Sequence, residues 1–164
     1  MKRCKKIFLL IFLIIIFSNC VLSVSAQQSG NAKEIATKNL VDSQRYVFYA
    51  QSATPISGRQ KFLTSDYSVY ISKDTVMSNL PFFGRAYSVP INTTDAGIKF
   101  TSINFDYKSS ARKKGGWDIT IKPKDAPGVQ QLLLTIYTNG TAYLNVNSTN
   151  RQFISFNGHV AKNK

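Results

Sequence analysis

Cysteine is nearly absent from this 164-residue chain, and its two copies, Cys4 and Cys20, both lie in the first twenty positions. A disulfide framework or a thiolate metal site for a folded domain is thereby excluded if that leader is removed. Histidine occurs once, as His159, so a His-based metal site or a Ser-His arrangement would hang on a single residue without a partner motif. Acids are also few, eight against 21 basic residues, and they stand singly: Glu34, Asp42, Asp66, Asp74, Asp95, Asp106, Asp118 and Asp125. No Walker loop, Gly-x-Gly-x-x-Gly, zinc spacing, calcium loop or nucleophile elbow occurs. No cofactor, metal site or catalytic residue is expected from this inventory.

What the chain does have begins with Lys2, Arg3, Lys5 and Lys6 ahead of an unbroken apolar run from Ile7 to Phe17. As a helix this run spans about 16 Å, too short for a bilayer core, and its order of charge, grease and small residues is that of an export signal. Val24-Ser25-Ala26 offers the cleavage site, so residues 1–26 are read as a signal peptide. The mature chain keeps 138 residues; it loses four cations and no acid, and its formal charge is still +9. Such a length suffices for one domain that folds without staples. The expected location is exported and periplasmic. The rival reading makes Cys20 the lipidated first residue of an outer-membrane lipoprotein, and a membrane contact is expected only in that case.

Residues 27–44 read as a polar lead and one helix. Asn31 and Glu34 have capping-box spacing, and Ala32, Ala36, Leu40 and Ser43, widened by Ile35 and Val41, form a modest apolar stripe opposite Lys33, Lys38 and Asp42. At Arg45 the period changes to two, with aromatic and β-branched residues that suit strands. Strands are expected near residues 46–52, 67–71, 86–91, 98–107, 117–121, 132–138, 142–146 and 153–156, with Gln60–Thr64 doubtful. Ile98 and Phe100 are out of phase with Ile103, Phe105 and Tyr107, which calls for a bulge near Ser102. Asn139-Gly140 predicts a two-residue type I′ hairpin. The expected fold class is α+β: one N-terminal helix packed on a bent, mostly antiparallel sheet of about eight strands, sandwich- or barrel-like. Residues 45–164 form one β-rich domain together with the helix.

Two stretches carry candidate binding chemistry. Phe82, Phe83, Arg85 and Tyr87 follow Pro81, where large rings would seat a loop on the sheet or line a cleft with Arg85 at its mouth. Arg112, Lys113 and Lys114 crown a hairpin tip beside Trp117 and suit phosphate, lipid A or an acidic glycan. Nucleic acid is not an expected partner, because no recognition motif is present. Asp106 and Asp118 flank the same hairpin and form the alternative, a carboxylate pair for hydrolysis. A third reading is strand addition through an open sheet edge. Three N-glycosylation sequons begin at Asn92, Asn139 and Asn147, and Asp74-Thr75-Val76 resembles an O-glycosylation tripeptide with Thr75 as acceptor.

The blocks Asn79-Leu-Pro-Phe-Phe-Gly-Arg-Ala-Tyr-Ser-Val-Pro90, Gly116-Trp-Asp-Ile119 and Asn150-Arg-Gln-Phe-Ile-Ser-Phe-Asn-Gly158, preceded by the strand Tyr67 to Ile71, resemble the domain of unknown function 4251 family of Bacteroidetes envelope proteins. The resemblance covers about residues 45–160. It implies a small exported or lipid-anchored α+β domain and brings no activity, so no catalytic residue transfers. Phe82 and Phe156 stand where such sequences carry tyrosine.

Overall fold

The computed structural model describes residues 30–87 and 97–163. The leader with Cys4 and Cys20, the sequon at Asn92, and most of the expected strand 86–91 lie outside the described residues.

One helix, α1 (residues 30–43), precedes nine strands: β1 (Tyr46–Pro55), β2 (Lys61–Ile71), β3 (Val76–Leu80), β4 (Ile98–Ser102), β5 (Phe105–Ala111), β6 (Trp117–Pro123), β7 (Val129–Ile136), β8 (Thr141–Ser148) and β9 (Ile154–Ala161). All join one antiparallel sheet in the order β4-β3-β2-β1-β9-β8-β7-β6-β5. Every neighbour is sequential except β1 and β9, which zip the first and last strands together. Because all eight ladders are antiparallel, the outermost strands β4 and β5 point the same way. Only Ile103 and Asn104 separate them. They are two arms of one bent strand, the first paired with β3 and the second with β6, so the sheet curls into a nearly closed eight-sided barrel.

The interior is filled by period-two alternation. Ile119 and Ile121 on β6, Leu132, Leu134 and Ile136 on β7, Ala142, Leu144 and Val146 on β8, and Ile154 and Phe156 on β9 share one buried cluster with Tyr46 and Phe48 of β1. Val41 joins it from α1. On β1 the register against both β2 and β9 shifts between Ala50 and Ser52, so Gln51 is a bulged residue that returns Ala53 to the core.

The bend between β4 and β5 replaces the single bulge expected near Ser102. At this corner the ladder stops, and backbone amides there need other partners. The Asp125 carboxylate supplies them: it accepts hydrogen bonds from the Ser102 hydroxyl and from the amides of Ile103, at 2.9 Å, and Asn104, at 3.1 Å. The Lys124 amide in turn donates to the Asn104 carbonyl at 2.8 Å. The Ser102 hydroxyl first, and then the Ile103 and Asn104 amides, hold the Asp125 carboxyl below its ordinary pKa. Inside, the Tyr46 and Tyr107 hydroxyls meet at 3.1 Å, linking β1 to β5, which share no ladder. Burial raises the pKa of both, that of Tyr46 well above the tyrosine value.

Four local expectations are corrected. The buried positions of α1 are Thr37 and Val41, with Leu40 partly buried, whereas Ala32, Ile35, Ala36 and Ser43 are exposed; Asn31 already lies inside the helix. Residues 61–71 form one strand, not a short one followed by another. At the β7–β8 turn only Gly140 has positive φ, 85°, and its amide donates to the Tyr137 carbonyl. That is a three-residue-type turn with glycine in the left-handed position, not type I′. Finally, β9 runs through Gly158, where a Cβ would lie 1.9 Å from the Tyr49 carbonyl oxygen. Glycine is required there by the close approach of β1 and β9.

Two outcomes test this account. Gly158→Ala should force β1 and β9 apart and lower the unfolding free energy by roughly 2–3 kcal/mol or more in urea titration. Asp125→Ala should lower Tm at pH 7. Because the folded pKa of Asp125 is depressed, its contribution is present above the unfolded value of about 3.9 and vanishes as pH falls through the folded one. The difference in Tm between variant and parent should therefore shrink as the pH is taken below about 4; a difference that stays constant there counts against the carboxylate's role.

Candidate functional site

Alternating strand direction sorts the connections into two ends. The rim carries the turns β1–β2, β3–β4, β6–β7 and β8–β9; the base carries α1 and the turns β2–β3, β5–β6 and β7–β8.

Phe82, Phe83, Arg85 and Tyr87 are all on the rim, in the chain leaving β3. Pro81 removes a ladder donor and ends the strand. The segment 85–87 then pairs with the β8–β9 connection: Ala86 bridges Arg151, the Gln152 amide donates to the Arg85 carbonyl at 3.0 Å, and the Tyr87 amide to the Asn150 carbonyl at 2.8 Å. The Arg85 amide also donates to Gln152 Oε1, at 3.2 Å. Both phenylalanines are half-buried against the core and carry cations on their faces. The Arg151 guanidinium lies 5.2 Å from the Phe82 ring centre, and Lys61 Nζ lies 4.6 Å from that of Phe83. Arg151 also donates from Nη1 to the Gly97 carbonyl at 2.9 Å, fixing the far end of the β3–β4 connection. Arg85 and Tyr87 remain solvent-facing.

Arg112, Lys113, Lys114 and Trp117 are at the base. Arg112 and Tyr137 sit at the end of β8 where it begins, and Arg151 sits where it ends, so about 25 Å of strand separates the two groups. The structure does not bring them into one surface. Arg112 is engaged, 5.3 Å from the Tyr137 ring centre and 3.4 Å from Asp118 Oδ2. Trp117 is half-buried and packs on the core. Lys113 and Lys114 are exposed at the turn.

Asp106 and Asp118 do not converge. Asp106 pairs with Lys124 at 2.6 Å, and Asp118 accepts from the Thr135 hydroxyl at 2.8 Å besides facing Arg112. In the β5–β6 ladder Asp118 stands opposite Ser110, four residues from Asp106, about 13 Å along the strand. No described groove contains both. His159 stacks on Tyr49 at 5.5 Å, and among the described residues no three metal-ligating side chains cluster. Thr75 is partly buried in the β2–β3 turn, its amide bonded to the Ser72 hydroxyl. A groove of about 900 Å³ lies at the base between α1 and β2, lined by Ala36, Leu40, Tyr70 and the mixed charges of Arg45, Asp74 and Lys162.

Sequence reasoning missed half of the rim. Ile56, Phe62 and Phe153 are large apolar side chains exposed there, with Arg59 and Lys61 between the first two. The available signal was two greasy residues flanking the Gly58 turn, where polar ones are the rule.

No curated protein matches this chain. The family model of the domain of unknown function DUF4251 matches residues 28–160. The fold is similar to the crystal structure of a DUF4251 family protein from Bacteroides eggerthii, with a TM-score of 0.63 and 18% identity over 80% of this chain and 88% of that one. A match over most of its length makes this chain a member of the DUF4251 family.

Proposed function

We propose that the protein is a non-enzymatic binding module, exported to the periplasm, whose rim holds an anionic component of the cell envelope. The observation that carries this reading is the charge of the rim. Its described loops and the start of β2 present Arg59, Lys61, Arg85 and Arg151, besides Lys124, which is paired with Asp106 of β5; the one acid of those loops, Asp125, is committed to the β4–β5 corner. Arg59 and Arg85 form no ion pair with any described residue. Exposed rings beside unpaired guanidinium groups favour an acidic partner with some apolar surface. The leader pattern from Lys2 to Phe17 supports export, and the excess of 17 basic over eight acidic residues that remains once the leader's four cations are removed supports a polyanionic partner.

Strand addition has one observation in its favour. Among the described residues β4 pairs only with β3 and β5 only with β6, leaving each arm of the bent strand one unladdered edge. The mixed charge of the base groove and the separated carboxylates favour neither reading.

Dextran sulfate, a polyanionic polysaccharide, should retain the protein in a salt-dependent manner while neutral dextran does not. Arg59→Ala and Arg85→Ala should each weaken retention about twofold to fivefold at low salt without changing Tm, the scale of an exposed ionic contact. Retention that ignores ionic strength, or a double variant that binds as the parent does, overturns the proposal.

A further inference from the structure

The tip of the β1–β2 hairpin departs from what a solvated turn requires. Ile56 is 65% exposed and Phe62 82% exposed, on either side of a tip built by Ser57, Gly58 and Arg59. Ladder positions explain the exposure. Ala53 and Pro55 are buried positions of β1, paired with Phe156 and Ile154 of β9, so Ile56 and Phe153 follow on the next, outward step of their strands. Phe62 stands opposite Ser52, one step out of phase with Ala53. Tyr87, 70% exposed, adds a ring with a polar tip from the neighbouring β3–β4 connection. No acid occurs between Pro55 and Ser65.

We infer that the anionic partner of the rim is the surface of an anionic lipid bilayer, entered by the β1–β2 tip through Ile56 and Phe62. This rests on the reading that the rim binds an anionic partner, and it names which. A sugar polymer is recognised by flat ring faces together with hydrogen bonds to its hydroxyl groups. Ile56 offers neither a flat face nor a polar atom, and Phe62 offers no hydroxyl. A branched aliphatic residue and a phenyl ring flanking cations instead match the boundary between headgroups and acyl chains, where the apolar groups leave water. Arg59 and Lys61 carry long stems that let their charges stay at phosphate level. Tyr87 suits the same boundary, its ring apolar and its hydroxyl wet. The backbone of the tip stays outside the hydrocarbon, as an open two-strand turn must.

The test uses flotation of the full domain with vesicles of phosphatidylcholine alone and of phosphatidylcholine with phosphatidylglycerol, beside dextran sulfate retention. Binding is expected to the anionic vesicles, and the double substitution Ile56→Ser, Phe62→Ser should weaken it about tenfold or more while leaving dextran sulfate retention and Tm unchanged. In a second readout, Phe62→Trp should add blue-shifted emission when anionic vesicles are supplied, beyond any change from Trp117 at the base. Anionic vesicles that hold the double variant as tightly as the parent would overturn insertion. Dextran sulfate retention without vesicle binding would overturn the lipid assignment and leave the polyanion reading standing; failure of both probes would remove both.

Discussion

The barrel depends on how it closes between β4 and β5, where hydrogen-bonded pairing stops among the described residues. Eight antiparallel ladders leave β4 and β5 pointing the same way, so these two cannot pair as antiparallel neighbours and instead continue one another through a corner. A corner strands backbone amides, and stranded amides are costly unless something accepts from them. Asp125 accepts from two of them and from the Ser102 hydroxyl, which keeps its carboxylate ionised below the usual range. The second tie is apolar in setting: the Tyr46 hydroxyl would be an orphan within the core without the hydroxyl of Tyr107, which packs on the core from β5 beside Phe105. One charged and one neutral bond thus do at the seam what a ladder does elsewhere.

The same closure decides where function can sit. Once β1 and β9 zip together, connections fall alternately at rim and base, and basic groups that the chain spaces about thirty residues apart are sent to opposite ends. At the base, Arg112 spends its charge on Asp118 and its planar face on Tyr137. At the rim, Asp125 serves the corner, so nothing acidic neutralises Arg59 or Arg85 among the described residues. Lys113 and Lys114 stay exposed at the base, so the two ends differ in how their arginines are engaged.

Much of this architecture was legible wherever one face alone was apolar. β6, β7 from Leu132 onward, and β8 alternate without interruption, and each was placed to within a few residues; the family resemblance rested on the blocks beginning at Asn79, Gly116 and Asn150, of which the structure shows Phe82, Phe83 and Trp117 packing on the core. β3 was missed because Ser78 holds an inward position between Val76 and Leu80. Its hydroxyl donates to the Ile98 carbonyl at 2.8 Å, a long-range satisfaction that no local pattern announces. Gly158 looked like a terminator because the demand it answers, the Tyr49 carbonyl at its Cα, belongs to a strand more than a hundred residues away. The helix stripe failed for a related reason: α1 is short of apolar residues on every face, so Thr37, facing Gly140, lies on the buried side and Ile35 stays in water. As for the site, Phe82, Phe83, Arg85 and Tyr87 could be read as a group because they are contiguous, whereas Lys61 reaches Phe83 across the pairing of β2 with β3 and Arg151 reaches Phe82 only through the closure of the barrel.

The packing of the interior bears on what kind of partner is reasonable. Antiparallel barrels that carry small ligands leave their lumen open, but here the inward positions hold Tyr46, Phe48, Leu132, Leu144 and Phe156, all essentially inaccessible, and Phe82 and Phe83 seat at the mouth beneath two cations. In the proposed binding role, recognition therefore falls to the outside of the rim, where rings and guanidinium groups are exposed. A partner that meets such a surface must itself be extended and present many weak contacts at once, since each exposed ionic contact contributes little alone. A polyanion or a bilayer satisfies that condition through repetition of its charges, and the excess of basic over acidic side chains across the chain extends the attraction beyond the contact itself.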